Sequence, residues 1–293
     1  MARLWSSGAE LRSATAGVEA YNVVGATINT TIKRSGAASW KFNGSTQYIY
    51  QRLFASASTT PLYIRAYYYF TSFDSDGYAA SYVLTTYGGT GDIKLNVSPS
   101  GVCSLSDYTN TVNGTKVLSL NTWYRIEIFI NPTTNTAILS IDGVYDINST
   151  AFNIFDSCTG VIFGNDFFSS AVFYADDIAI NDTNGSYQIS WPGSGQIVHL
   201  RPNATGDNAV GRSEPDTGLD AYTMLDEVTP DDATTYWEFI LNDDTVDVNI
   251  DSSATGGIGS TDVVTLVQVG GRLAGSSATS CGGNFRIKSQ ASG

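Results

Sequence analysis

Apolar and polar residues alternate in short stretches along most of the chain, and each stretch is closed by glycine, asparagine, aspartate or proline. A period of two puts successive side chains on opposite faces, as an antiparallel sheet with one wet face requires. The alternation predicts strands at Ser39–Phe42, Gln47–Arg52, Tyr63–Phe73, Ala80–Tyr87, Ile93–Val97, Trp123–Ile130, Thr136–Ile141, Gly160–Gly164 and Ala171–Ile180. Between Leu62 and Phe70 both parities are bulky, which predicts a central strand covered on both sides. Asn131-Pro132-Thr133-Thr134-Asn135 supplies turn geometry between two alternating runs, so Trp123–Ile141 reads as a hairpin, and Asp142-Gly143 turns the chain again. Trp123, Ile126, Ile128 and Leu139 are expected in the core, and Glu127 on a wet face.

Turn-rich clusters at Asp182-Thr183-Asn184-Gly185 and Trp191-Pro192-Gly193-Ser194-Gly195 mark a boundary, giving domains 1–190 and 191–293. In the second, strands are expected at Ile197–Arg201, Thr235–Leu241, Val246–Ile250, Val263–Val269 and Asn284–Lys288, with Gly206–Asp232 a long polar loop. A loop of that length is functional or ordered by a partner. The fold class is therefore all-β, a large antiparallel sandwich followed by a smaller β-domain.

With 293 residues, 42% of them hydrophobic, the chain has material for a substantial core. Fifteen Lys and Arg against 28 Asp and Glu give a net charge of −13, which repels phosphate backbones and argues against nucleic acid. No run approaches the ~18 apolar residues of a membrane span, and the first thirty positions lack a basic segment followed by an apolar stretch. A soluble, unprocessed chain without membrane insertion or signal peptide is expected.

Catalytic chemistry has little to build on. The single histidine, His199, lies in an apolar run and reads as a strand residue, which leaves Ser-His-Asp and Cys-His arrangements with one candidate base. Cys103, Cys158 and Cys281 are dispersed and offer no metal set, although Cys103 and Cys158 lie in the same domain and could form a disulfide. Six glutamates show no acid/base arrangement, and carboxylates that meet only in space leave hydrolysis unsupported rather than excluded.

Three features suggest binding. Asp74-Ser75-Asp76-Gly77 places oxygen ligands at alternate positions beside a glycine, as a Ca2+ loop does; Thr85 at the twelfth position rules out an EF-hand, and a plain β-turn explains the same residues. Tyr78, Tyr82 and Tyr87 follow a turn and could stack on sugar rings, with core packing the alternative. From Glu214 to Asp262 there are 13 acids and no Lys or Arg, interrupted by Tyr222, Met224 and Leu225 beside Asp226 and Glu227. Such a run is either a solvated face or a contact with another chain.

Leu4-Trp5-Ser6-Ser7-Gly8-Ala9-Glu10, Arg34–Ser39, Asn121–Glu127 with Ile141-Asp142-Gly143, and Tyr174–Asp182 together resemble the LamG-like, concanavalin A-like jelly rolls of tailed-bacteriophage virion proteins, over about residues 1–190. Trp191–Pro202, Asp226-Glu227 and Asp231–Tyr236 resemble phage structural proteins with a second β-domain. The resemblance implies a non-enzymatic virion component, a tail, head-decoration or fibre subunit. It would be made in the host cytoplasm, require no cofactor, and contact other virion proteins and copies of itself. It also implies an alternative, an adhesin module recognising host surface glycans. Phage chains of this type continue past a strand like Phe285–Lys288, so the sequence is either a fragment or closes its second domain differently.

Overall fold

The alternating stretches stack as two antiparallel sheets. The computed structural model describes residues 2–56, 58–74, 81–87, 92–154, 158–165, 170–214, 218–226, 236–239, 245–252, 256–265 and 267. The chain divides into two units, Met1–His199 and Leu200–Gly293, so residues 191–199 belong with the sandwich and not with the second unit.

In the first unit the strands run β1 (Arg3–Ser7), β2 (Asn22–Val24), β3 (Thr27–Asn29), β4 (Ser39–Phe42) and β5 (Gln47–Arg52). They continue with β6 (Leu62–Ser72), β7 (Ser81–Tyr87), β8 (Lys94–Val97), β9 (Val102–Ser106) and β10 (Thr111–Val117). The last are β11 (Trp123–Asn131), β12 (Thr136–Ile141), β13 (Val144–Ser149), β14 (Gly160–Asn165) and β15 (Val172–Asp182). The front sheet has the order β13-β12-β11-β6-β15-β4-β3, with β1 also on β15; the back sheet is β10-β9-β8-β7-β14-β5-β2. Neighbours such as β6 and β15 are far apart in sequence, so the chain crosses repeatedly between layers, as in a jelly roll. The expected central strand is central: β6 lies between β11 and β15.

One parity of each strand fills the space between the sheets. Ile64, Ala66, Tyr68 and Phe70 of β6, and Ile126, Ile128 and Ile130 of β11, meet Ile49, Leu95, Cys103, Leu105, Val161 and Phe163 of the back sheet, all at 3% exposure or less. Two stacked inner faces ~10 Å apart account for this interdigitation. The β11–β12 hairpin forms as expected. Asn131 accepts the Thr133 N–H, Pro132–Thr134 makes one 3-10 turn, and Asn135 takes the left-handed conformation that closes it. At the next turn Asp142 and Gly143 both have positive φ, which glycine adopts without strain.

The structure corrects several expectations. Trp123 has the opposite parity to Ile126 and Ile128 and stands on the outer face beside Tyr69. Glu127 also faces outward, yet it is 3% exposed, because a later segment covers it. Cys103 and Cys158 are buried free thiols. Cys103 is on β9 and Cys158 leads into β14, three strands away and so roughly 14 Å, whereas a disulfide needs Cα atoms within ~7 Å. Burial pushes the Cys103 thiol up to about 12. The alternation does not predict strands β1, β2, β3, β9, β10 and β13.

Ile197–Arg201, at the junction of the two units, is not a strand, nor are the described residues of Val263–Val269 in the second unit. Strands there are β16 (Pro202–Ala209), β17 (Arg212–Glu214), β18 (Tyr236–Glu238) and β19 (Val246–Ile250), paired as β16–β19 and β17–β18. Gly206–Asp232 is thus not one loop: it holds the end of β16, all of β17 and a 3-10 turn at Ala221–Met224. Asn284–Lys288 and Cys281 lie outside the described residues. Among the described residues no helix is long and apolar enough to cross a membrane.

Ile128 is 1% exposed between Ile64 on β6 and Leu139 on β12. Ile128→Ala is expected to destabilise the first unit by about 2–5 kcal/mol in urea titration, through lost burial and a residual cavity. A change under about 1 kcal/mol would contradict this packing.

Candidate functional site

The outer face of the front sheet is organised by an irregularity in β15. Pairing with β6 runs Asp176 opposite Tyr67 and then Ala179 opposite Arg65, so β15 carries one extra residue there, and Asp177 takes φ +48. The bulge changes parity. Phe173, Ala175, Ile178 and Ile180 all stay in the core, and Asp176 and Asp177 are both set against the outer face at 0% exposure. Two adjacent carboxylates removed from water require partners. Arg34 and Ser35 provide them: Arg34 Nη1 lies 2.6 Å from Asp177 Oδ2, Ser35 Oγ donates to Asp177, and the Arg34 and Ser35 N–H groups donate to Asp176 Oδ2. Arg34 also stacks 3.6 Å above the Tyr67 ring.

A second layer is the segment 188–197. Ile197 N–H donates to Asp177 Oδ1 and Gly193 N–H to Glu127 Oε1, while Gly195 O accepts from Arg34 and Gly193 O from Arg65. Trp191 packs its ring against Tyr63, Phe129 and Tyr145. The segment has no strand structure of its own and borrows its hydrogen bonds from the charged face beneath it. Glu10 lies nearby at 5% exposure, with Oε2 accepting the Ala37 N–H at 2.8 Å and Oε1 buried without a partner. Burial pushes its carboxyl up to about 7, aided by the charges of Glu19 and Asp177. Asp176 is also raised, by burial first and by Asp177 second. Among the described residues no group of three His, Cys, Asp or Glu side chains is arranged to hold a metal ion.

Beyond this segment the outer face carries a row of large side chains. Trp123, Tyr69, Tyr174 and Lys41 stand opposite one another in turn across β11, β6, β15 and β4, forming one row. Ring centroids are 5.3 Å apart for Tyr69–Trp123 and 6.1 Å for Tyr69–Tyr174. Trp123, Tyr69 and Lys41 are half-buried and Tyr174 is buried. Among the described residues, the Trp123 indole N–H and the Tyr69 and Tyr174 hydroxyls have no hydrogen-bond partner. Burial raises the Tyr174 hydroxyl pKa above its ordinary value, so it remains both donor and acceptor. Aromatic faces with unpaired polar tips are what a sugar ring meets in a binding site.

The residues singled out from sequence fall elsewhere. Tyr82 pairs with Asn96 of β8 and Tyr87 with Gly160 of β14, so both belong to β7 in the back sheet. Tyr78, Asp76 and Glu227 lie outside the described residues. Asp74 is 3% exposed and accepts the Ser170 hydroxyl at 3.1 Å. In the second unit Met224 is buried, Tyr222 and Asp226 are half-buried, and Leu225 is 38% exposed at the 3-10 turn. His199 is half-buried and outside any strand. Sequence reasoning missed the Trp123–Tyr69–Tyr174 row because each residue sits in a different strand and each looked like core; the parity of Trp123 against Ile126 was the available signal.

No family model matches the chain, and no curated protein matches it. Solved structures with a similar course of chain include the botulinum neurotoxin serotype D binding domain, at 13% identity and a TM-score of 0.46. That match covers 63% of this chain and 48% of the toxin domain, so the chain spans about half the toxin domain's length. Others are the cellulose-induced protein Cip1, at 14% identity and 0.44 over 62% of this chain and 92% of Cip1, and Trypanosoma rangeli sialidase in complex with the inhibitor DANA. The sialidase match has 15% identity and a TM-score of 0.43, over 58% of this chain and 29% of the enzyme. Likeness at this level carries no functional argument, and the sandwich assignment rests on the strand pairing itself. The virion assignment implied by the sequence resemblance has no counterpart among these three.

Glu10 and Asp176 hold protons in the folded chain at pH values where the unfolded chain has released them. The folded state therefore binds more protons, and stability falls as pH rises from the ordinary carboxylate range towards about 7 and beyond. The melting temperature is expected to be higher at pH 5 than at pH 8, and Glu10→Gln should shrink the difference. An unchanged pH profile in that variant would show that Glu10 is ionised throughout.

Proposed function

We propose that the first unit is a non-catalytic carbohydrate-binding β-sandwich whose contact surface is the row Trp123–Tyr69–Tyr174. The observation that carries this reading is the row itself: in-register aromatic side chains on the outer face of the sheet, Trp123 and Tyr69 partly exposed and Tyr174 buried beside them, with an indole N–H and two hydroxyls unpaired among the described residues. The disposition of the acids supports a binding role over a hydrolytic one. Asp176, Asp177, Glu10 and Glu127 are buried and engaged by loop or strap, so none is presented to a glycosidic bond. Trp123→Ala and Tyr69→Ala are each expected to weaken glycan binding about two- to tenfold, the range of a single aromatic contact. Retention on immobilised glycans, with melting temperature as the control for folding, measures this. Wild-type binding undiminished in both variants would place the contact surface elsewhere, with Tyr82 and Tyr87 of β7 next to be tested.

A second reading, compatible with the first, gives the second unit a role in assembly. Its buried hydrophobic residues, among those described, are Ala221 and Met224 alone, while Val210, Leu219, Ile250, Val263, Val264 and Val267 are all at least 50% exposed. Two-stranded sheets are marginal by themselves, and exposed apolar surface of this extent is a feature of chain–chain contacts. This supports display of the sandwich on a larger assembly, of which a phage particle is the instance the sequence resemblance suggests. Sedimentation of the full chain should reveal an oligomer, and Val263→Asp with Val267→Asp should dissociate it. A monomer across the micromolar range would oppose self-assembly.

A further inference from the structure

The aromatic row does not end at Tyr174. The next position across the sheet is Lys41 on β4, directly opposite Tyr174 and flanked on its other side by Thr27 of β3. Trp40 and Phe42, on either side of Lys41 in the chain, are both 0% exposed in the core, so Lys41 projects to the same outer face as the rings. Trp123 to Lys41 spans three strand spacings, about 14 Å, the scale of a short oligosaccharide lying across the strands.

The ammonium group of Lys41 differs from the paired cations of the sandwich. Arg34 is held by Asp177, Lys116 by Asp142 and Arg125 by Glu127, and Arg65 is held by backbone carbonyls. Lys41 has no carboxylate, carbonyl or ring partner among the described residues. In a chain with a net charge of −13, a cation at the end of an aromatic row and without a partner of its own selects for an anion.

Resting on the glycan-binding reading, we infer that the ligand of this face is an acidic glycan: neutral rings stack on Trp123 and Tyr69, and an anionic substituent, carboxylate or sulfate, pairs with Lys41. The charge contributes selectivity more than affinity, because an ion pair in contact with water is worth about 1 kcal/mol at most, roughly fivefold in affinity, and it weakens with salt.

The experiment is binding of the full chain to an array of matched glycans carrying neutral, uronic acid, sialic acid or sulfated termini, repeated with Lys41→Gln, Lys41→Arg and Trp123→Ala. Expected results are preference for one acidic class, loss of that preference by about fivefold in Lys41→Gln, retention in Lys41→Arg, and in Trp123→Ala a weakening of about two- to tenfold that is the same for neutral and acidic classes. Carboxylate-bearing and sulfated termini are separate arms, so the preferred one identifies the anion. Neutral glycans bound as well as acidic ones, or a Lys41→Gln variant that keeps the acidic preference, overturns this inference and leaves the glycan-binding reading standing. Absence of binding to every class overturns both. Lys41 is half-buried on the surface, and an unchanged melting temperature shows that each variant is folded.

Discussion

Two neighbouring aspartates, Asp176 and Asp177, sit on one face of a central strand with no exposure to water, and much of the first unit is arranged to compensate them. Such a pair is tolerated only with a full set of donors and at least one cation. The loop carrying Arg34 and Ser35 therefore lies where it does, and the segment after β15 must turn back over the sheet instead of leaving it, since the Ile197 N–H is among the donors to Asp177. Removing Arg34 would leave Asp177 as an uncompensated buried charge, a much larger penalty than the loss of a surface ion pair.

This compensation divides the outer face of the front sheet into two parts. Where segment 188–197 lies, the arginines, Glu127 and the aromatic rings of Tyr63 and Phe129 are occupied by backbone and by Trp191. Where it does not, the rings of Trp123 and Tyr69 keep their faces and polar tips available. One sheet surface thus contains both a satisfied, structural aromatic cluster and an unsatisfied one, and the difference between them is tertiary cover, not residue type. The same contrast separates Arg65 and Arg34, which are fully used, from Lys41, which is not.

The second unit follows a different economy. Among its described residues there are two sheets of two strands each, and the described apolar residues are largely exposed. With 13 acids and no Lys or Arg between Glu214 and Asp262, like-charge repulsion adds to the deficit of burial. Both terms are relieved by contact with another surface, which is why apolar and acidic residues interleaved in one segment are more informative than either alone.

The sequence by itself determined the class of fold and most of the long strands. Period-two alternation is a local property, and β4, β5, β11 and β12 have the bounds it predicts, or differ by one residue at one end. It also determined the β11–β12 turn, because Asn131, Pro132 and Asn135 impose their geometry without help from distant residues. Strands β1, β2, β3 and β9 were illegible for the opposite reason: their pairing partners, not their own pattern, hold them extended. The face on which Trp123 stands, the cover over Glu127, the separation of Cys103 from Cys158 and the meeting of Trp123, Tyr69, Tyr174 and Lys41 were decided only by the tertiary structure. Each depends on which strands are neighbours and on a one-residue bulge in β15, and pairing between strands a hundred residues apart is set by the packing of the whole sandwich.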